Sequence, residues 1–224
     1  MSFDFPKLIV SNGKILPNCL DYSKLQVTKE GLYSTLMPIH ADQEINAIKS
    51  FIGDKDLYVL DTTGNVGCYI MTIAKYFPNI KAIVLEINPD TYDVLCSNIM
   101  AHDLNNIVSV NISCYDYVQK CDKKFGYVYC DPPWSSIEKY DKDKKYDDLF
   151  IMHNESYLSV FDFIKLVFEK QVSDLVVLKT PSKFNTYPKL GKHLKYVPIY
   201  NAYKRVDYRL YFITPTIIMR QSDK

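Results

Sequence analysis

The chain alternates short, wholly apolar runs with stretches whose apolar positions recur at helical spacing. DLYVLDTT (56–63) is apolar and β-branched, carries Asp61 near its end, and leads through Gly64, Asn65 and Gly67 into IMTIAKYF (70–77), which has helical spacing. KAIVLEI (81–87) carries Glu86 at its end and passes through Pro89 into DTYDVLCSNIMAHD (90–103), with proline where a first helical turn tolerates it. VSVNISC (108–114) and FGYVYCD (125–131) read as a third and a fourth strand, the latter stopped by Pro132 and Pro133. A charged segment, KYDKDKKYDD (139–148), precedes a helical pattern over SYLSVFDFIKLVFEKQ (156–171) and another apolar strand, SDLVVLKT (173–180). Two β-rich runs near the end, LKYVPIYNAY and YRLYFITPT, are spaced to pair as an antiparallel hairpin.

Strands alternating with helices predict an α/β fold: a mostly parallel sheet covered on both faces, with an antiparallel hairpin at its C-terminal end. The strand ends carrying Asp61, Glu86, Cys114 to Asp116 and Asp131 then fall along one edge. In such sheets ligands bind outside the carboxyl ends of the strands. There is no internal repeat and no low-complexity stretch.

Bulk properties narrow the function. A chain of 224 residues can bury one full core but not two comfortable ones. With 47% hydrophobic and 24% charged residues, and no apolar run long enough to cross a bilayer, no membrane association is expected. The start, MSFDFPKLIV, lacks the flanks of a secretory signal, and Cys19, Cys68, Cys96, Cys114, Cys121 and Cys130 show no CxxC spacing. Reduced thiols and an intracellular location, cytoplasmic or nuclear, are therefore expected. A net charge of +1 argues against coating long nucleic acid, while a small or end-on nucleotide substrate fits. His40, His102, His153 and His193 have no ligand spacing to one another or to cysteine, so no metal is expected, and no hydrolase nucleophile motif is present.

Three features point to a nucleoside. The loop Asp61-Thr-Thr-Gly-Asn-Val-Gly67 contains glycines that let backbone approach a ligand, although it is not a GxGxxG fingerprint. Glu86, at the next strand end, can accept from both hydroxyls of a ribose. Asp116, at the third, can accept from an adenine amino group. The fourth strand ends in CDPPWSS (130–136), an Asp-Pro-Pro-Trp turn in which proline fixes φ and turns a carbonyl outward.

This order of an acidic Gly-loop, a ribose carboxylate and a (D/N/S)PP(aromatic) turn resembles Rossmann-like class I S-adenosylmethionine-dependent methyltransferases acting on exocyclic amines. VTKEGLYSTLMPIHADQEINAIKSFI (27–52) is similar to the segment that precedes the methyltransferase domain of trimethylguanosine synthases, the cap guanine-N2 enzymes. VLDTTGNVGCYIMTIAKYF, IVLEINPDTYDVLCSNIMAHDL, CYDY, YVYCDPPW and LVVLKTPSKFN resemble that family's successive motifs, over residues 24 to 215. The resemblance implies an N-terminal extension, residues 1–52, contributing to the active site of a methyltransferase domain, residues 53–224. It also implies a cofactor, S-adenosyl-L-methionine, held by Asp61, Thr62, Gly64, Asn65, Gly67, Glu86, Ile87, Tyr115, Asp116 and Asp131.

By the same likeness, Asp131 and the carbonyl of Pro132 accept the two protons of the amine within the turn Asp131, Pro132, Pro133, Trp134. The indole of Trp134 stacks on a 7-methylguanine, whose positive charge suits a tryptophan face. Lys24, Lys29, Lys183, Asn185 and Arg205 are expected on the substrate side, with the cations toward a triphosphate. The partner implied is a capped RNA 5' end, and the chain looks like a minimal, viral-type member. It departs from the family in having Asp131 for the usual Ser, Ser135-Ser136 for Gly-Gly, and Cys68 and Ile70 in the Gly-loop region. The charged segment 139–148 is expected to be a lid over the base. Adenine-N6 methylation, ribosomal RNA guanine-N2 methylation and a non-catalytic cofactor-binding scaffold remain open as alternatives.

Overall fold

A computed structural model describes residues 20–28, 31, 35–53, 57–134, 146–154, 156–185, 194 and 196–217. The chain divides into two compact units, one ending at Ile112 and the other beginning at Ser113.

In the first unit the strands β1 (Tyr58–Asp61), β2 (Lys81–Glu86) and β3 (Ile107–Asn111) run parallel in the order β3-β2-β1, with Leu60 opposite Ile83 and Val84 opposite Ser109. Ala82 to Leu85 are all buried, which is why this strand reads as an unbroken apolar run. The helices α2 (Cys68–Tyr76) and α3 (Pro89–Ala101) are the crossovers. Helix α3 begins with Pro89 in its first turn and is capped by Asn88, whose Oδ1 accepts from the Thr91 N–H at 3.0 Å. Helix α1 (Pro38–Ile52) lies within the segment 27–52 and was not anticipated by the apolar pattern.

Asn98, fully buried on α3, joins three parts of this unit. Its Oδ1 accepts from Gln26 N–H, and its Nδ2 donates to the carbonyls of Gln26 and Val66, each at 2.8 Å. Residues 25–28 are thereby tied to the loop that follows β1. Truncation leaves Val66's carbonyl and the Gln26 backbone without these partners, so Asn98→Ala is expected to cost about 2 kcal/mol. A urea midpoint equal to wild type would show that water replaces the amide without loss.

In the second unit β4 (Tyr127–Cys130) pairs in parallel with β7 (Val176–Pro181), and every residue of both is buried. Strand β9 (Val206–Ile213) then pairs antiparallel with β7, and β8 (Tyr196–Tyr200) pairs antiparallel with β9, as the expected hairpin. Helices α4 (Cys114–Lys120) and α5 (Val160–Glu169) accompany these strands.

Two boundaries differ from the sequence reading. The third strand stops at Asn111, and Ser113 has an extended backbone at the N-cap of α4, so Cys114 to Asp116 form a first helical turn instead of a strand end. SYLS is strand β6 (Ser156–Ser159), paired antiparallel with β5 (Phe150–His153), instead of the start of a helix. The reason is local: the Ser159 hydroxyl accepts from the Phe161 N–H at 3.2 Å, which makes Ser159 a helix cap and leaves the preceding residues extended. The charged segment 139–148 lies outside the described residues as far as 145, and its last three residues are fixed. Tyr146 is buried and bridges to Phe184, and Asp148 accepts from the Ser159 hydroxyl at 2.8 Å.

Candidate active site

The first unit holds the nucleoside-type features at the carboxyl ends of β1 and β2. Asp61 and Thr62 are buried, and the Asp61 carboxylate accepts from the Thr63 N–H at 3.1 Å, folding the chain out of the strand. Gly64 donates its N–H to the Leu85 carbonyl at 2.7 Å, and Gly67 has φ +92°, a left-handed conformation that opens α2. Both glycines admit protein. A Cβ on Gly64 would lie 2.4 Å from Val84 Cγ2, and one on Gly67 would lie 2.6 Å from Leu95 Cδ1. Gly31, within the motif that precedes the domain in the resemblance, packs on the same loop, where a Cβ would meet Val66 Cγ1 at 2.9 Å and Asn65 Oδ1 at 3.0 Å.

Glu86 is half-buried at the end of β2 and accepts from two backbone N–H groups, Asn65 to Oε2 and Asn88 to Oε1, both at 2.8 Å. Burial pushes its carboxyl above the ordinary range, and the N–H bonds of Asn88 and Asn65 oppose that. Each carboxylate oxygen has a second acceptor site, so the orientation that supports the loop leaves the chemistry for ribose hydroxyls intact. Ile87, the next residue, is exposed.

The second unit holds the amine-type features at the carboxyl ends of β4 and β7. Asp131 follows Cys130, which is in register with Leu178, so Asp131 stands beside Lys179. Lys179 Nζ lies 2.9 Å from Asp131 Oδ2. Burial raises the Asp131 carboxyl above its ordinary value, and Lys179 and the Trp134 indole pull the other way. Pro132 is buried and Pro133 exposed. The Trp134 ring is half-buried and tilted against Tyr208, centroid to centroid 6.2 Å, and Lys179 Nζ sits 5.9 Å from the first ring and 4.6 Å from the second. Tyr208 is opposite Pro181 on β9, which brings it to the same strand end.

Also in this unit, Tyr115 is buried in α4 with its hydroxyl donating to the Ser159 carbonyl at 3.0 Å, and burial raises that phenol. Asp116 is one helical turn along from the cap, 3.7 Å from His153 Nδ1, which also meets the Ser113 hydroxyl at 2.9 Å. Asn185 donates its amide N–H to the Tyr146 carbonyl and its Nδ2 to Asp147 at 2.9 Å, fastening the end of the charged segment. Lys183 and Arg205 are exposed, the latter in the β8–β9 turn, and Lys24 is exposed in the first unit. Lys29, Ser135 and Ser136 lie outside the described residues.

Lys179 and Tyr208 are the side chains at the turn that the sequence reading did not single out. A signal existed for the first: lysine is almost never buried unless paired, and Lys179 interrupts the apolar run LVVLKTP. Among the described residues no group of histidine, cysteine or carboxylate side chains is placed to hold a metal, the five described cysteines are joined by no disulfide, and no helix is long and apolar enough to cross a membrane.

No family model matches the chain. It is 28% identical over 132 residues, 58% of its length, to an uncharacterized protein of Acanthamoeba polyphaga mimivirus, of which it covers 48%. It is 24% identical over 168 residues, 72% of its length, to the tRNA(Phe) (4-demethylwyosine(37)-C(7)) aminocarboxypropyltransferase of Methanocaldococcus jannaschii, of which it covers 55%. The chain thus spans about half the length of these curated relatives. Among solved structures it is similar to a hypothetical protein of Thermus thermophilus, with TM-score 0.60 and 11% identity over 85% of this chain and 92% of that one. A human methyltransferase 10 domain containing protein matches with TM-score 0.55 and 13% identity over 84% and 85%. The N-terminal domain of human METTL16, in complex with S-adenosylhomocysteine, matches with TM-score 0.53 and 10% identity over 84% and 74%. The fold is the Rossmann-like class I methyltransferase fold.

Proposed function

We propose that the chain is an S-adenosylmethionine-dependent RNA methyltransferase, and that the amine it methylates is N2 of a 7-methylguanosine cap. The observation that carries the finer reading is Trp134: a half-buried indole directly after an Asp-Pro-Pro turn, paired with Tyr208 at a strand end of the kind where this fold binds ligands. Tryptophan offers the best aromatic face for a cationic base. Likeness to trimethylguanosine synthases supports the same choice, and Gly31, one residue of the motif quoted for it, packs against Asn65 and Val66.

S-adenosylmethionine supplies an electrophilic methyl group on a sulfonium sulfur. The residues of this chain supply position. Glu86 accepts from the ribose hydroxyls while the Asn65 and Asn88 amides fix its carboxylate. The Asp131 carboxylate and the Pro132 carbonyl accept from the two N–H groups of the exocyclic amine, which turns the nitrogen lone pair out of conjugation with the ring. Alignment of this kind can contribute most of the barrier reduction, so no separate strong base is needed. Lys183 and Arg205, both exposed, are the cations this reading assigns to the triphosphate.

The test offers S-adenosylmethionine labelled either in its methyl or in its aminocarboxypropyl carbons with 7-methylguanosine-capped dinucleotide, the cap without the 7-methyl, transfer RNA and adenine-containing oligonucleotides. Methyl label is expected on the 7-methylated cap alone. Trp134→Ala is expected to raise the KM for that cap about 5- to 150-fold, the equivalent of roughly 1–3 kcal/mol of lost stacking. Methyl transfer to adenine would replace guanine with adenine-N6 as the target. Aminocarboxypropyl label on transfer RNA would assign the chain the reaction named for its archaeal relative. Cofactor binding with no transfer to any substrate would leave a scaffold.

A further inference from the structure

Lysine is an expensive residue to bury, and Lys179 is 7% exposed in the middle of a strand whose other residues are also buried. Its environment is organised by register. Leu178 pairs with Cys130, so the carboxylate following β4 comes level with Lys179, and Lys179 pairs with Leu210, so Tyr208, two residues earlier, shares its face of the sheet. The ammonium is enclosed by the Asp131 carboxylate at 2.9 Å, the Tyr208 ring at 4.6 Å and the Trp134 ring at 5.9 Å. Stability does not explain the arrangement, because a buried ion pair is often matched or bettered by apolar side chains of the same volume.

We propose that Lys179 is a positioning residue for amine methylation: it keeps the Asp131 carboxylate ionised and turned toward the amine at a partly buried strand end. The inference rests on the amine-methylation reading of the turn. An ionised carboxylate only accepts hydrogen bonds, whereas a protonated one carries a donor that would face the amine's own N–H groups. Burial drives Asp131 toward the protonated form. Lys179 from β7 is the cation opposing that, the Trp134 indole adds a smaller effect, and the Tyr208 hydroxyphenyl ring from β9 encloses the cation. The lysine acts through the aspartate.

The pH dependence of kcat/KM decides the matter. Only the ionised carboxylate presents acceptors without a competing donor, so activity is present above the Asp131 pKa and lost as pH falls through it. Removing the ammonium raises that pKa further, and the acid limb of Lys179→Met is expected to move up by about one to three pH units. At neutral pH the variant loses activity that returns as the pH is raised, and Lys179→Arg restores the wild-type profile. Should the methionine variant not fold, Lys179→Gln, which keeps a donor but not the charge, takes its place. A variant weakened equally at every pH, with an unmoved limb, would make Lys179 a packing residue and overturn the proposal.

The Asp131 carboxyl titration, followed by carbon NMR in protein labelled at aspartate, separates this from the reading beneath it. A midpoint unchanged by Lys179→Gln overturns the proposal even if methylation is found. A midpoint that rises, in a protein that methylates no amine, keeps the electrostatic pair but overturns its role in methyl transfer together with the amine reading.

Discussion

Asp131→Asn is expected to lower the turnover of methyl transfer about a hundredfold or more, roughly 3 kcal/mol of barrier, while cofactor affinity changes only a few-fold. Asparagine has the size of aspartate and keeps one acceptor oxygen, so the turn can hold its shape. Its amide oxygen carries no charge and accepts more weakly than a carboxylate, and its other terminus is an NH2 group, a donor that would oppose the amine's N–H if turned toward it. The pH profile carries a second signature. Burial raises Asp131 above the ordinary aspartate value of about 3.9, so the wild-type acid limb attributable to it lies above that value and activity falls as pH drops through it. Asparagine does not titrate, and that limb should vanish from the residual activity. Single-turnover kinetics with the cofactor bound in advance measure the chemical step directly; a turnover within a few-fold of wild type would remove Asp131 from the reacting group.

The largest expected effect on stability is at Gly64. A methyl group there would lie 2.4 Å from Val84 Cγ2, 3.0 Å from the Leu85 carbonyl oxygen and 3.3 Å from Leu95 Cδ2. The loop cannot retreat, because the Gly64 N–H is already bonded to that carbonyl at 2.7 Å. Val84 and Leu95 are both fully buried, so neither has open space to move into. Gly64→Ala is therefore expected to cost about 2–3 kcal/mol, the upper part of the range for overpacking, and to lower Tm by roughly 5–10 °C. Adding Val84→Ala to Gly64→Ala should recover part of the loss, since it removes the atom that clashes first. Calorimetric melting of the two single variants and the double variant measures the coupling; purely additive losses would locate the strain elsewhere.

The first unit was legible because its rules are local. Buried parallel strands give unbroken apolar runs, and Asp61, Glu86 and Pro89 mark their ends, so β1, β2, α2 and α3 fall close to where the pattern puts them. The final hairpin was legible for the same reason. What stayed hidden depends on partners distant in sequence. Asn98 looks like one more polar position on a helix until its amide is seen to join residues 26 and 66. The β5–β6 pair was masked because SYLS satisfies helical spacing as well as alternation, and only the cap at Ser159 separates the two readings. The Asp131 turn itself was readable as a motif at the end of β4. Its pairing with Lys179 was not, because the register of β4 on β7 decides it.

Glu86 has a consequence for how a ligand would arrive. Its two oxygens already hold Asn65 and Asn88 through backbone N–H groups, so the loop after β1 and the loop after β2 are fixed by the protein itself. A nucleoside accepted there meets a surface whose ordering entropy was spent during folding, and the binding free energy is not diverted into closing a loop. Association with this half of the site would then be governed by encounter and desolvation, and selectivity by which hydroxyl pairs can share two oxygens that are already in place.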